Sequence, residues 1–301
     1  MTSETRTSET REAFGRVGIW SGALHGSRTD DTGKQAIGEA VAELEELGYG
    51  TLWIGGSPSI GDAAAVVAAT HRITVATGIL SIWDHPAEEV AAGIAAIDAS
   101  ARGRFVLGLG VSHGPMVPQY SKPYSAMVTY LDALDAAGPP VGPGSRVLAA
   151  LGPKMLKLAT DRALGAHPYL VTAEHTAEAR AALGPDAMLA PELSVVLDTD
   201  ADRARTTARN MLTMYLQLPN YTANLLRLGF AESDFDAGGS ARLLDALFAL
   251  GDAERVKART QEYLDAGADH VALQILTADE GGGGLPLAEW RELAGAFGDE
   301  L

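Results

Sequence analysis

The segment Leu151-Gly152-Pro153-Lys154 combines three features that favour the binding of an anion. It follows a short apolar run, and Pro153 suits the first position of a helix because its ring already holds the helical φ angle. The first N–H groups of a helix have no partner within it, so they can donate to a phosphate, and the helix dipole and Lys154 add positive charge. The same residues are also an ordinary helix start, and the local pattern does not choose between the two interpretations.

The seven histidines are the only side chains of this chain that ordinarily titrate near neutral pH. His25, His85 and His113 follow predicted strands, where an imidazole could contact a cofactor or a substrate. His167 and His270 stand at the boundaries of predicted strands, and a structural role is expected for both. The histidines are scattered, without an HExxH motif or a paired His–carboxylate spacing, so no metal site is predicted.

The elements that must position these residues follow a regular rhythm. From Arg16 onward, short apolar runs alternate with longer helical patterns, which is typical of repeated β–α units around a parallel sheet. The runs predicted to form strands are 17–20, 51–54, 73–77, 105–109, 147–150, 168–171, 193–197 and 270–275. Eight such units predict an α/β protein of the (β/α)8 TIM-barrel class, with a helical insertion at 200–250 before the last strand. An open doubly wound sheet should carry a glycine fingerprint after its first strand, and none follows Trp20.

In a TIM barrel, the chemistry lies where strands end and βα connections begin. Several predicted strands are followed directly by glycine, which lets a ligand come close to the backbone and also suits a tight turn. Trp20 ends the first predicted strand, and His25 and Trp83 follow strands. All three are candidates for the wall of a substrate pocket, with packing at the rim as the alternative. Ser57 and Ser112 also follow strands, but neither is expected in a nucleophile elbow, so serine hydrolysis is not favoured.

Composition excludes several classes of function. The chain has 301 residues, no cysteine and a net charge of −16, so it offers no thiolate chemistry and no electrostatic footprint for nucleic acid or anionic lipid. Its apolar runs are shorter than the roughly 20 residues of a membrane span. Residues 1–13 are predicted to form a disordered arm and 14–301 a single barrel domain in a cytoplasmic protein.

Taken in order, a series of segments resembles the luciferase-like monooxygenase superfamily, and within it the oxidoreductases that use coenzyme F420. The segments are ELEELGYGTLWIGGSPS, RITVATGILSIWDHPAEEVA, GRFVLGLGVSHGPMV, RVLAALGPKMLKLA, GAHPYLVTAEHT, LPNYTANLLRLGF and YLDAGADHVALQIL. The match extends over nearly the whole chain. The order and spacing of the segments, more than any single one, carry the resemblance.

The resemblance implies a role for residues at several strand ends. It puts Gly78 and Ile79 in the bulge that supports the deazaflavin ring, where the family often has a non-proline cis peptide. It implies further cofactor contacts from Thr77, Ser81, Gly110 and Val111. Gly56 and Ser57, also predicted to contact the cofactor, stand where many members carry an Asp-His pair.

The resemblance also implies how the anionic part of the cofactor is held. Gly152, Pro153 and Lys154 match the phosphate-binding turn, and Thr172 and His175 match positions that meet the phosphate-and-glutamate tail. Lys154 and His175 would supply local positive charge. His113 occupies a position that is often acidic in the family, and it is the predicted proton donor or acceptor.

The sequence therefore predicts a coenzyme F420-dependent oxidoreductase that transfers a hydride between the deazaflavin and a small organic substrate of the carbonyl, alcohol or enone class. One alternative is an FMN-dependent luciferase-like monooxygenase. Another is a non-catalytic barrel that binds a flavin or deazaflavin. A further alternative, a metal-free lyase or isomerase that acts on a phosphorylated substrate, is supported only by the predicted anion site. The resemblance also implies a homodimer.

Overall fold

The computed structural model of the chain describes residues 12–278 and 284–301. The strands are β1 Val17–Ser21, β2 Thr51–Gly55, β3 Thr74–Gly78, β4 Leu80–Ser81, β5 Phe105–Gly110, β6 Arg146–Leu148, β7 Gly165–Ala166, β8 Met188–Leu189, β9 Glu192–Leu197, β10 Phe248–Gly251 and β11 Val271–Ile275. The helices are α1 Asp31–Glu46, α2 Ile60–Ala68, α3 Ala87–Ala96, α4 Pro123–Ala136, α5 Pro153–Arg162, α6 Ala173–Leu183, α7 Ala201–Tyr215, α8 Pro219–Arg227, α9 Ala241–Leu247, α10 Ala253–Asp265 and α11 Leu287–Phe297.

The strands form one parallel sheet that closes on itself. The pairing order is β10-β9-β11-β1-β2-β3-β5-β6-β7-β8, with β4 added beside β5. Between β8 and β9 the chain continues through two residues that bond to both neighbours: Ala190 N donates to Ala166 O (2.9 Å), and Pro191 O accepts from Ala272 N (2.9 Å). β8 and β9 therefore act as one bent strand. β4 pairs only with β5, and β10 pairs only with β9 at the end of the order. Without these two strands, eight strand positions remain in a ring, and the predicted TIM barrel is confirmed.

Two details of the predicted strand positions are wrong. The sixth barrel strand ends at Ala166, before the predicted run 168–171. Leu170 has a left-handed backbone with a φ of 53°, so the chain turns out of the sheet there. The strands β4, β8 and β10 are further elements that the sequence pattern does not predict. β10 follows α7, α8 and α9, the helices that occupy the expected insertion.

Aspartate side chains set the starts of two helices on the outside of the barrel. Asp30 caps α1 by accepting from Gly33 N (2.9 Å), and the apolar face of that helix is buried. Asp252 caps α10 in the same way, by accepting from Arg255 N (2.9 Å). Each carboxylate satisfies an N–H group that has no partner within its helix, so the helix begins at the next residue.

The barrel interior is filled below the site by aromatic and small apolar side chains. The Trp53 ring stacks on His167 (centroids 4.0 Å apart), and Trp53 Nε1 donates to His270 Nε2 (3.0 Å). Burial lowers the pKa of both histidines to about 4, so both are neutral at pH 7. Their predicted structural role is confirmed, and this packing leaves the opposite end of the barrel for chemistry.

Within residues 12–278 and 284–301, no helix is long and apolar enough to cross a membrane. The predicted N-terminal arm lies almost wholly outside the described residues. Phe14, the first residue of the predicted barrel domain, is buried in the barrel interior.

Candidate functional site

The Trp20 indole forms the floor of the site, at the carboxyl ends of β1, β2 and β3. Its Nε1 donates to the Gly78 carbonyl oxygen (2.8 Å). A Cβ atom on Gly55 would overlap the Trp20 ring, and one on Gly78 would lie 2.7 Å from Nε1. These two strand-end glycines therefore make room for a side chain of the protein itself, which sequence reasoning did not anticipate.

The backbone at the end of β3 forms a bulge. The peptide bond between Gly78 and Ile79 is cis, as the resemblance implies. The Ile79 side chain lies against Gly110, where a Cβ would be 2.5 Å from Ile79 Cδ1. The Thr77 hydroxyl donates to Gly108 O (2.7 Å) and accepts from Gly108 N (2.8 Å), so it links β3 to β5. The bulge thus exposes Ile79 to the mouth, while Thr77 holds the strands beneath it.

The loop after β2 is held by a serine that bonds to the neighbouring loop. Gly56 and Ser57 both have left-handed φ angles, of 74° and 58°. Ser57 Oγ donates to Asp84 Oδ2 (3.2 Å) and accepts from Ser81 N (3.1 Å). The Ser57 side chain therefore connects the ends of β2 and β4, two of the places where cofactor contacts are predicted.

The residues after β1 are tied to the same loop. The buried His25 contacts the Gly55 carbonyl oxygen through Nε2, and Arg28 donates to the Gly56 carbonyl oxygen (2.7 Å). Burial lowers the pKa of His25, and its bond to Gly55 partly opposes that change. In this structure His25 positions the loop, whereas its contact with a substrate stays a prediction.

Trp83 lies at the rim beside the end of β5. Its Nε1 donates to the Val111 carbonyl oxygen (2.5 Å), and its ring centroid is 5.8 Å from that of Tyr120. The buried Ser81 supports it, because Ser81 Oγ accepts from Trp83 N (3.3 Å). Trp83 is half-buried, so one part of the indole packs on the protein and another faces solvent.

The start of α5 has the form that an anion site requires. Gly152 is the N-cap and offers no side-chain cap, Pro153 is the first helical residue, and Lys154 is exposed. A Cβ on Gly152 would meet no atom of the described residues within 4 Å, so these residues leave the space before the helix open. Helix N–H groups and a lysine thus surround an accessible volume.

His175 connects this helix start to that of α6. Its Nε2 bonds to the Leu151 carbonyl oxygen (2.9 Å), and Thr172 caps α6 by accepting from His175 N (3.2 Å). His175 Nδ1 is buried without a hydrogen-bond partner among the described residues. Burial lowers the pKa of His175, its bond to Leu151 partly opposes that change, and the charge of Arg227 lowers the pKa further. The expectation that His175 supplies positive charge stays a prediction, and Lys154 is the exposed cation at the start of α5.

His113 follows β5 and is half-buried. Burial lowers its pKa, and a hydrogen bond with the Asn220 side chain partly opposes that change.

The segment Gly110–Gly114 has the GxSxG spacing of a nucleophile elbow, and Ser112 has a φ of 53°. The residues that follow form only a short 3-10 turn, Gly114–Met116, where an elbow continues into a helix. The spacing alone thus gives no reason to assign a nucleophile.

Sequence reasoning missed the tyrosines of the mouth. Tyr169 follows β7, and Tyr215 and Tyr221 come from α7 and α8. Tyr169 Oη donates to Gln274 Oε1 (2.8 Å), and Tyr215 Oη donates to Tyr169 Oη (3.3 Å). The segments HPYL and LPNYTAN contain two of these tyrosines, but their meeting depends on how the insertion packs over the barrel.

Glu192 is a second residue that sequence reasoning missed. It is buried at the start of β9, where Oε1 accepts from Ser194 Oγ (2.5 Å) and Oε2 accepts from Leu170 N (3.0 Å). Burial raises its pKa from 4.5 to about 7. The signal in the sequence that could have pointed to Glu192 is an acidic residue at the start of a mainly apolar strand.

Comparison with known proteins identifies the family to which part of the chain is similar. Residues 16–137 match the family model described as luciferase-like monooxygenase. The predicted resemblance is thereby confirmed over this segment. No functionally curated protein matches the sequence.

Solved structures extend the similarity of fold to nearly the whole chain. An F420-dependent secondary alcohol dehydrogenase in complex with an F420-acetone adduct has a TM-score of 0.68 at 14% identity, over 95% of this chain and 99% of that chain. The coenzyme F420-dependent tetrahydromethanopterin reductase of Methanopyrus kandleri has a TM-score of 0.65 at 15% identity, over 96% and 98%.

An FMN complex has the same fold. It is the oxygenating constituent of 3,6-diketocamphane monooxygenase from Pseudomonas putida, with a TM-score of 0.66 at 13% identity, over 95% of this chain and 97% of that chain. The luciferase-like barrel is therefore common to proteins that carry either cofactor.

Proposed function

We propose that the protein is a coenzyme F420-dependent oxidoreductase that transfers a hydride between the deazaflavin and a small organic substrate. The observation that carries the proposal is the open, uncapped start of α5 with Lys154 beside it, at the carboxyl ends of the barrel strands. An anionic cofactor needs such a site in a protein with a net charge of −16.

The residues present fit this cofactor. The N–H groups at Gly152 and Lys154 would bind its phosphate, and Ile79 would support its ring. When bound, the cofactor supplies the hydride chemistry at carbon 5 of the deazaflavin. The protein orients the two reactants and excludes water, and His113 would donate or accept a proton at the substrate oxygen.

A specific observation keeps FMN as the second candidate, because a protein of the same fold is in complex with FMN. A monooxygenase would consume oxygen, since reduced flavin reacts with oxygen whereas a deazaflavin scarcely does. Oxygen uptake by the protein with reduced FMN therefore separates the two functions.

The test follows oxidation of reduced coenzyme F420 by absorbance, without oxygen, against a panel of carbonyl compounds and enones. Lys154→Ala should raise the KM for the cofactor at least tenfold. Lys157→Ala is the matched control, because Lys157 lies on the same helix and pairs with Asp161 (2.8 Å). Cofactor binding without turnover of any compound would favour a non-catalytic barrel, and equal behaviour of the two variants would contradict the anion site.

A further inference from the structure

The mouth of the barrel carries a continuous series of aromatic rings. The successive ring centroids are 5.5 Å apart for Trp20 and Tyr169, 5.4 Å for Tyr169 and Tyr215, 5.2 Å for Tyr215 and Tyr221, and 5.3 Å for Tyr221 and His113. We call these five residues the aromatic arc. It runs from the end of β1 to the residues after β5, so it spans the mouth.

The arc presents part of its ring surface to solvent. Trp20, Tyr169, Tyr215 and His113 are half-buried, whereas Tyr221 is buried. A ligand can therefore reach ring faces and edges that already pack on the protein from behind. Aromatic side chains bind flat rings best in offset-stacked or edge-to-face arrangements at such separations.

Hydrogen bonds hold the arc in place before any ligand arrives. Trp20 is bonded to the Gly78 carbonyl oxygen (2.8 Å), Tyr169 to Gln274 (2.8 Å) and Tyr215 to Tyr169 (3.3 Å). Fixed rings lose little conformational entropy on binding. The arc is thus a preorganised surface whose polar atoms belong to tyrosine hydroxyls, one indole N–H and one imidazole.

We propose that the aromatic arc binds the substrate and selects a flat aromatic molecule that carries a carbonyl or hydroxyl oxygen, with that oxygen toward His113. Ring stacking on Tyr169 and Tyr215 supplies the affinity. His113 ends the arc on the side of Gly110, against which Ile79 lies. The placement of the oxygen rests on the proposed function, whereas the binding of the ring does not.

Titration calorimetry with 2-naphthol tests the proposal, and decahydro-2-naphthol serves as the saturated control. Wild-type protein, with or without coenzyme F420, should bind 2-naphthol at least tenfold more tightly than the saturated alcohol. Tyr215→Leu should weaken 2-naphthol binding by roughly three- to tenfold, because it removes one stacking partner. Tyr215→Phe should change it less than threefold, and Tyr124→Leu, at an exposed position outside the arc, should leave it unchanged.

Two results would overturn the proposal: no saturable binding of 2-naphthol in either condition, or equal loss of affinity for both alcohols in Tyr215→Leu. Thermal unfolding of each variant checks that it folds, and the comparison of 2-naphthol with decahydro-2-naphthol in wild-type protein keeps the test valid if Tyr215→Leu does not fold. If the protein binds coenzyme F420 but not 2-naphthol, only the proposal about the aromatic arc is contradicted. If it binds 2-naphthol but not coenzyme F420, only the proposed function is contradicted.

Discussion

At the level of single residues, burial decides the charge of Glu192. Its two carboxyl oxygens accept one hydrogen bond each, and these bonds do not offset the loss of water. Burial also raises the pKa values of Tyr169, Tyr215 and Tyr221, and a negative charge on Glu192 would raise them further. The neutral form of Glu192 is therefore the one that the folded protein favours.

Replacing this group should change how stability depends on pH. The pKa of Glu192 rises from 4.5 to about 7 on folding, so its contribution is complete below pH 4.5 and is lost as pH rises toward 7. As the pH rises over that range, the free energy of unfolding of Glu192→Gln should increase by roughly 3 kcal/mol relative to that of wild type. Urea unfolding of both proteins at pH 5 and pH 8 measures this change. If the variant differs from wild type by the same free energy at both pH values, the pKa of Glu192 is not perturbed.

His113 has a prediction of its own. Because burial lowers its pKa, the neutral ring should accept a proton during alcohol oxidation at and above neutral pH, with that activity lost as pH falls below the ordinary histidine range. Carbonyl reduction, which needs the protonated ring as donor, should instead increase over the same fall in pH. His113→Ala should lower kcat by about 10²-fold, a common size for proton transfer by a side chain. Unchanged kcat across pH would remove His113 from the mechanism.

Among the elements, the strand ends show which parts of the site are predictable from the sequence. The helix start at Pro153 and the bulge at Gly78 are local features, and the pattern indicates both. The contact of Trp20 with Gly55 joins different strands, so it depends on the strand register. The pattern misplaces the sixth strand because Leu170 has an apolar side chain but a left-handed backbone. The tyrosines of α7 and α8 require the packing of the insertion.

The packing of Trp20 against β2 leads to a prediction about these elements. Gly55→Ala would put a Cβ atom inside the contact distance of the Trp20 ring, so the ring must move. We expect a loss of roughly 1–3 kcal/mol in the free energy of unfolding, as for other overpacked sites. Gly22→Ala is the control, because a Cβ there meets no atom within 4 Å in the part of the chain that the structure describes. If chemical unfolding gave both variants the same free energy of unfolding as wild type, the contact of Gly55 with the Trp20 ring would be contradicted. In a protein that already carries Trp20→Ala, Gly55→Ala should cause no further loss of stability.

In the molecule as a whole, the barrel interior links folding to pH. Burial gives His167 and His270 pKa values of about 4 in the folded protein, against 6.5 ordinarily. Both contribute stability that is complete above pH 6.5 and is lost as pH falls toward 4.

The loss for each histidine is roughly 3 kcal/mol, and together they exceed the opposite change from Glu192. The midpoint temperature of thermal unfolding should therefore decrease as the pH is lowered from 6.5 to 4. This decrease should be smaller in His270→Gln. A midpoint that rises as pH falls would contradict the neutral, buried state of these rings.

The function proposed for the whole molecule depends on whether the open end of the barrel binds the deazaflavin cofactor. Thermal unfolding of the purified protein with coenzyme F420, with FMN or with no addition tests this binding, because a ligand at 100 times its Kd stabilises the folded state by about 2.7 kcal/mol. We expect a higher midpoint with coenzyme F420 and no change with FMN. A higher midpoint with FMN alone, or an unchanged midpoint with both cofactors, would contradict the proposed function.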